Sequence, residues 1–99
     1  MDSVLRAKWF ELSLVQQMVN IGNEVKRALR LPSETEQRNA FLDKAIQYTN
    51  LTMEDPKNFR VMPELRISRE VLEDYRGGHF LDCTDGQIIG YYIAYQYLL

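Results

Sequence analysis

The sequence predicts an all-α protein, an antiparallel bundle of four main helices with a short N-terminal segment packed across it. Three observations carry that expectation. Apolar residues recur at three- and four-residue spacing through successive stretches of the chain, the spacing that gathers them on one face of a helix. Capping signatures stand at Ser13/Gln16, Ser33/Glu36 and Thr84/Gln87. Pro32, Asp55-Pro56 and Gly77-Gly78 punctuate the places where helices have to stop. The expected helices run over about 13–31, 33–54, 63–76 and 85–98, in a single domain of 99 residues.

Residues 1–12 give the weakest signal. Val4, Leu5, Trp9 and Phe10 suit a short lead-in tucked over the bundle. Ser13 then opens the clearest helix, its side chain placed to accept a free backbone N–H while Gln16 reaches back. At about 100° per residue, Leu14, Met18, Ile21, Val25 and Ala28 form a seam inside an apolar arc roughly 140° wide. Lys26, Arg27 and Arg30 crowd the last turns, where positive charge complements the helix dipole. Pro32 ends the helix, because the residue before a proline is pushed out of helical geometry.

The second helix places Phe41, Leu42, Ala45, Ile46, Tyr48, Thr49, Thr52 and Met53 on one face. Asp55-Pro56 stops it, and Asp55 can cap a turn that carries Phe59 inward. In the third helix Leu65, Ile67, Ser68, Val71, Leu72 and Tyr75 face one way, opposite Arg66, Arg69, Glu70, Glu73, Asp74 and Arg76. Gly77-Gly78 supplies its stop.

The rest is organised around the final stretch, TDGQIIGYYIAYQYLL. It has no charged side chain after Asp85 and holds four of the six tyrosines. Isoleucine and tyrosine favour strands, yet the capping box and the lack of a second strong strand decide for helix. Its wheel has no polar face, and Gly90 and Ala94 make a small-residue stripe that admits a neighbouring backbone. A helix apolar on all sides in so small a chain points to an interface through Tyr91, Tyr92, Tyr95 and Tyr97. A tyrosine-lined ligand pocket is the lesser version of the same idea.

Composition narrows the remaining classes. With 45% hydrophobic and 26% charged residues the chain is of ordinary globular make-up, and its net charge of −2 argues against nonspecific nucleic-acid or acidic-membrane binding. One cysteine forbids an intrachain disulfide, and the opening MDSVLRAKWF has no signal-peptide core, so a cytoplasmic location is expected. No dinucleotide, P-loop or metal motif is present, and no cofactor is expected. His79 and Cys83, flanked by Asp82 and Asp85, form the one cluster of chemically capable side chains, though a loop with a helix cap and a small buried thiol explains it better. Glu70, Glu73 and Asp74 read as a solvated face bridged to Arg69 and Arg76. Lys26, Arg27 and Arg30 with Arg38 are the best available anion patch, though a helix end complementing its dipole accounts for them better.

Asn20-Ile21-Gly22-Asn23-Glu24-Val25, then Ala45 to Thr52, then Asp55-Pro56 resemble a group of small uncharacterised bacterial helical proteins. Their pattern is an NIG-x-EV first helix and a second helix ending in LT-x-x-DP. The resemblance covers about the first two thirds of the chain and implies an all-α domain without an activity. The layout is also similar to helical domains that partner small nucleotidyltransferases, some of them RNases that pair an arginine with a histidine several residues on. Here Arg76 and His79 are separated by two glycines, so that motif is absent.

The leading expectation is therefore a non-enzymatic interaction module, a homodimer or a docking subunit. The alternative is an RNA- or nucleotide-linked helical protein using Arg76 and His79. A small enzyme using Cys83 stands third.

Overall fold

The computed structural model describes residues 3–32, 35–77 and 85–96. Among them are five α-helices and one 3-10 helix, and no strand: α1 (Ser3–Phe10), α2 (Leu14–Leu29), α3 (Glu36–Glu54), the 3-10 helix (Pro56–Val61), α4 (Met62–Gly77) and α5 (Asp85–Gln96). Among the described residues the all-α expectation holds.

α1 closes at Phe10, and backbone bonds from Glu11 to Lys8 and from Leu12 to Trp9 turn the chain. Ser13 then caps α2 with both halves of its capping box in place: Gln16 N–H donates to Ser13 Oγ at 3.1 Å, and Ser13 N–H donates to Gln16 Oε1 at 2.9 Å. Met18, Ile21, Val25 and Ala28 are fully buried, so the seam written in the sequence is the core face. Each large apolar side chain removed from water contributes about 1.5–3 kcal/mol before the entropy of ordering it.

α3 begins later than the sequence suggests. Thr35 is its cap, its hydroxyl accepting from Arg38 N–H at 3.2 Å, so a single cap at Thr35 stands in place of the expected Ser33/Glu36 box. Ser33 itself lies outside the described residues. Leu42, Ala45, Thr49 and Thr52 are buried as the wheel requires, and Leu51 joins them although the wheel had not placed it there.

Asp55 caps the 3-10 helix with Pro56 at its start, as the Asp-Pro pair implies. The direction of its side chains differs from expectation. Phe59, expected inward, is 67% exposed, and Asn58 turns into the core in its place. Three residues per turn puts Asn58 and Val61 on one side and leaves Phe59 on the other, where the Arg60 guanidinium lies 5.7 Å from its ring centre.

α4 starts at Met62 and takes Pro63 into its first turn, where a missing N–H costs nothing. Leu65, Ser68, Leu72 and Tyr75 are buried. Ile67 was expected with them but is 62% exposed. It lies roughly 120° around the helix from the centre of that buried set, so the face drawn from sequence was too wide.

α2 packs on α3 and α5, and α3 packs on α4 and α1. α4 and α5 therefore each lean on a different inner helix, and the backbone gap between them is bridged by side chains, Tyr91 to Glu64 among them. That gap is where the candidate site lies.

Candidate functional site

α5 seats on α2 through one close contact. A Cβ built on Gly22 would stand 2.6 Å from Tyr92 Cβ and 3.2 Å from its Cγ, so the missing side chain admits the tyrosine. Tyr92 and Ile88 point into the core and are buried. The sequence assigned close helix approach to Gly90 and Ala94. The structure puts it at Gly22 instead, and Gly90 is exposed with nothing within 4 Å of where its Cβ would be.

This orientation divides the expected tyrosine face. Tyr92 belongs to the core, whereas Tyr91 and Tyr95 are half-buried on the flank toward α4. The outermost edge of α5 is Gly86, Gly90 and Ala94. Tyr97 lies outside the described residues.

Between α4 and α5 is a groove enclosing about 210 Å³. α4 lines it with Glu64, Ile67, Ser68, Val71 and Leu72. α5 contributes Gln87, Ile88, Tyr91 and Tyr92. Beside it a shallower recess is formed by Glu64, Tyr91, Ala94 and Tyr95. The Tyr91 ring meets Tyr92 at 84° with centres 5.0 Å apart, and Tyr95 at 73° with centres 5.8 Å apart, both edge-to-face. Tyr91 Oη donates to Glu64 Oε1 at 3.5 Å, long for such a bond.

Burial pushes the Tyr91 hydroxyl far above its ordinary range, with the hydrogen bond to Tyr95 and the nearby Glu64 carboxylate adding to the shift. Burial likewise pushes Tyr92 up, against a smaller opposing hydrogen bond with Ser68. Both phenols are neutral at any physiological pH. Glu64 is then the one formally charged side chain among the residues lining the groove. No lysine or arginine among the described residues comes within ion-pair distance of it.

A second polar centre went unseen in the sequence. Gln17, on α2, is fully buried; its amide nitrogen donates to Trp9 O and to Asp55 Oδ2, each at 2.9 Å. Its oxygen accepts from Asn58 Nδ2 at 2.9 Å, and that nitrogen also donates to Thr52 O at 2.9 Å. Lys57 Nζ pairs with Asp55 and donates to Phe10 O at 2.8 Å. Trp9 Nε1 donates to Thr52 Oγ1 at 3.0 Å while its ring stacks on Tyr48 with centres 4.6 Å apart. The knot ties α1, α2, α3 and the 3-10 helix together. Its polar groups satisfy one another, which makes it a structural joint rather than a reactive centre. The signal available beforehand was a glutamine beside the Met18 seam and an Asp-Pro-x-Asn turn.

The other candidate residues that the structure describes are engaged within the fold. Arg76 donates to Asp43 Oδ1 at 2.8 Å, so its guanidinium ties α4 to α3. Arg69 bridges to Glu73 at 3.7 Å and donates to Asn50 at 3.0 Å. Arg38, grouped with the basic patch from sequence, is buried and donates to Leu31 O at 3.3 Å, leaving exposed Arg27 and Arg30 and half-buried Lys26. Glu24 is buried on α2 with Arg27 at 2.9 Å and Lys44 at 3.9 Å from one oxygen, its other oxygen unpaired. His79, Cys83 and the Thr84 end of the last capping box lie outside the described residues. Among those described, no group of three or more His, Cys, Asp or Glu is placed to hold a metal, and no helix is long and apolar enough to cross a membrane.

No protein-family model matches the chain, and neither a search of curated proteins nor one of solved structures returns a match.

Proposed function

We propose that this chain is a non-enzymatic interaction module that self-associates through α5. The observation that carries the reading is the bare edge of a helix with no charged residue after Asp85: Gly86, Gly90 and Ala94 are exposed one turn apart, and Gly90 faces open space. Small residues at that spacing let a second helix approach to backbone distance, which raises the area each flanking side chain buries. Tyr91 and Tyr95, half-buried beside the edge, supply rigid flanking area with polar tips.

The reading also takes α2 to α5 as an antiparallel four-helix bundle in one domain, with α1 laid across it. Two cross-helix bonds support that direction for α3 and α4: Arg69 pairs with Asn50 and Arg76 with Asp43, seven residues on in one helix and seven back in the other.

The test is solution mass by light scattering across a dilution series. A dimer that persists at low micromolar concentration, and that Gly90→Leu converts to monomer with helicity intact, is the expected result. Gly90→Leu has room in the free protein, so loss of mass reports a blocked approach rather than a damaged fold. A monomer at every concentration overturns the proposal. So does a dimer indifferent to Gly90→Leu, Tyr91→Glu and Tyr95→Glu alike.

A further inference from the structure

The groove between α4 and α5 opens to one side of the small-residue edge and, through its recess, shares Tyr91, Ala94 and Tyr95 with it. Tyr91 follows Gly90 by one residue and so points about 100° away around the helix. The groove holds about 210 Å³ and opens beside Glu64 onto the recess of about 310 Å³, space on the scale of small-molecule sites, roughly 300–1,000 Å³. That space suits a compact organic molecule.

The lining is asymmetric in a way that specifies chemistry. Val71, Leu72 and Ile88 present hydrocarbon to one part of the groove. Glu64, with Tyr91 and Tyr95, bounds the recess beside it. The carboxylate has no basic partner among the described residues, and its one hydrogen bond, from Tyr91, is stretched to 3.5 Å. The tyrosines beside it offer hydroxyl acceptors and electron-rich faces, and both favour a cation.

We infer that this groove binds a small apolar primary amine, with the hydrocarbon against Val71, Leu72 and Ile88 and the ammonium on the Glu64 carboxylate beside Tyr91 and Tyr95. Glu64 provides charge and a charge-assisted hydrogen bond, the strongest polar contact the groove can make. The apolar wall provides affinity without direction. A carboxylate ligand is rejected by Glu64, and a neutral alcohol of the same shape forgoes the ion pair.

The probe is phenethylammonium, titrated into the full chain and followed by NMR of the tyrosine rings. Saturable shifts at Tyr91 and Tyr95 are expected. 2-Phenylethanol can still donate a hydrogen bond to the carboxylate but forgoes the ion pair, so it should bind about tenfold more weakly, and 3-phenylpropionate should not saturate. Glu64→Gln, a change at an exposed position, should cost the amine about tenfold and affect the alcohol much less. Nα-acetyl-lysine amide carries the same ammonium on a peptide unit and should bind more weakly than phenethylammonium. Equal binding of amine and alcohol, indifference to Glu64→Gln, or no saturation by the amine overturns the inference. Tighter binding of the lysine derivative also overturns it, in favour of a peptide.

Discussion

Gly22 on α2 and Tyr92 on α5 touch so closely that any side chain at position 22 would collide with the tyrosine: its Cβ would lie 2.6 Å from Tyr92 Cβ. The obstructing atom is at the base of the side chain, so no rotation of the ring relieves it. α5 is oriented by this contact, and the groove and the bare edge both follow from that orientation.

Gly22→Ala should destabilise the protein by about 1–3 kcal/mol, because overpacking at a backbone-close contact outweighs the better helix propensity of alanine. Urea unfolding measures it. Tyr92→Gly, which removes the obstructing Cβ, should make Gly22→Ala nearly harmless, so a double-mutant cycle gives a coupling energy well above zero.

Gly90→Ala should act in the opposite sense. The position lies inside α5, is exposed, and has open space where the methyl would go. In the monomer, at protein concentrations below self-association, a gain of about 0.5–1 kcal/mol is expected from reduced freedom of the unfolded chain. The same substitution at two glycines of the same fold thus separates packing from propensity.

Gln17→Leu should cost about 2–4 kcal/mol despite its hydrophobic gain. Its amide makes bonds to Trp9 O, Asp55 and Asn58 in a buried setting, and removing one member leaves those groups unpaired. Thermal unfolding of the variant checks the size of the loss.

Asp55 gives the knot a pH dependence. Burial raises its pKa, but hydrogen bonds from Lys57 and Gln17 and the Lys57 charge outweigh burial and hold it below the usual carboxylate value. A folded pKa below the unfolded one means that the unfolded chain takes up the proton first as pH falls. The stabilisation is therefore whole above about pH 4 and is lost as pH falls through the folded value. Asp55→Asn should be less stable than wild type at pH 7, and the gap should narrow below about pH 4. Unfolding curves at several pH values decide it.

Arg76→Ala should change stability by less than about 1 kcal/mol, since its bond to Asp43 joins two largely exposed side chains. If the same variant abolished a salt-sensitive RNA signal from the full chain, the nucleotide-linked alternative would displace the interaction module.

Much of the fold is legible in the sequence because it depends on local rules. Ser13/Gln16, the Met18–Val25 seam, the Asp55-Pro56 turn and a helical final stretch each express a capping bond, a 3.6-residue period or a backbone constraint within a few residues. Those rules also announce that the last stretch has no charged residue after Asp85 and no polar face on its wheel.

They do not say which side is covered. Whether Phe59 and Ile67 turn in or out, whether Gly22 or Gly90 receives a neighbour, and whether Tyr91, Tyr92 and Tyr95 act as one face depend on how helices rotate against each other. That rotation is settled by contacts between residues far apart in the chain, such as Gly22 with Tyr92 and Gln17 with Asp55 and Asn58. Helical period alone determined that these helices exist and have an inside. Only the tertiary packing decided where the inside ends, because the angle between two apolar arcs is not encoded by either arc alone.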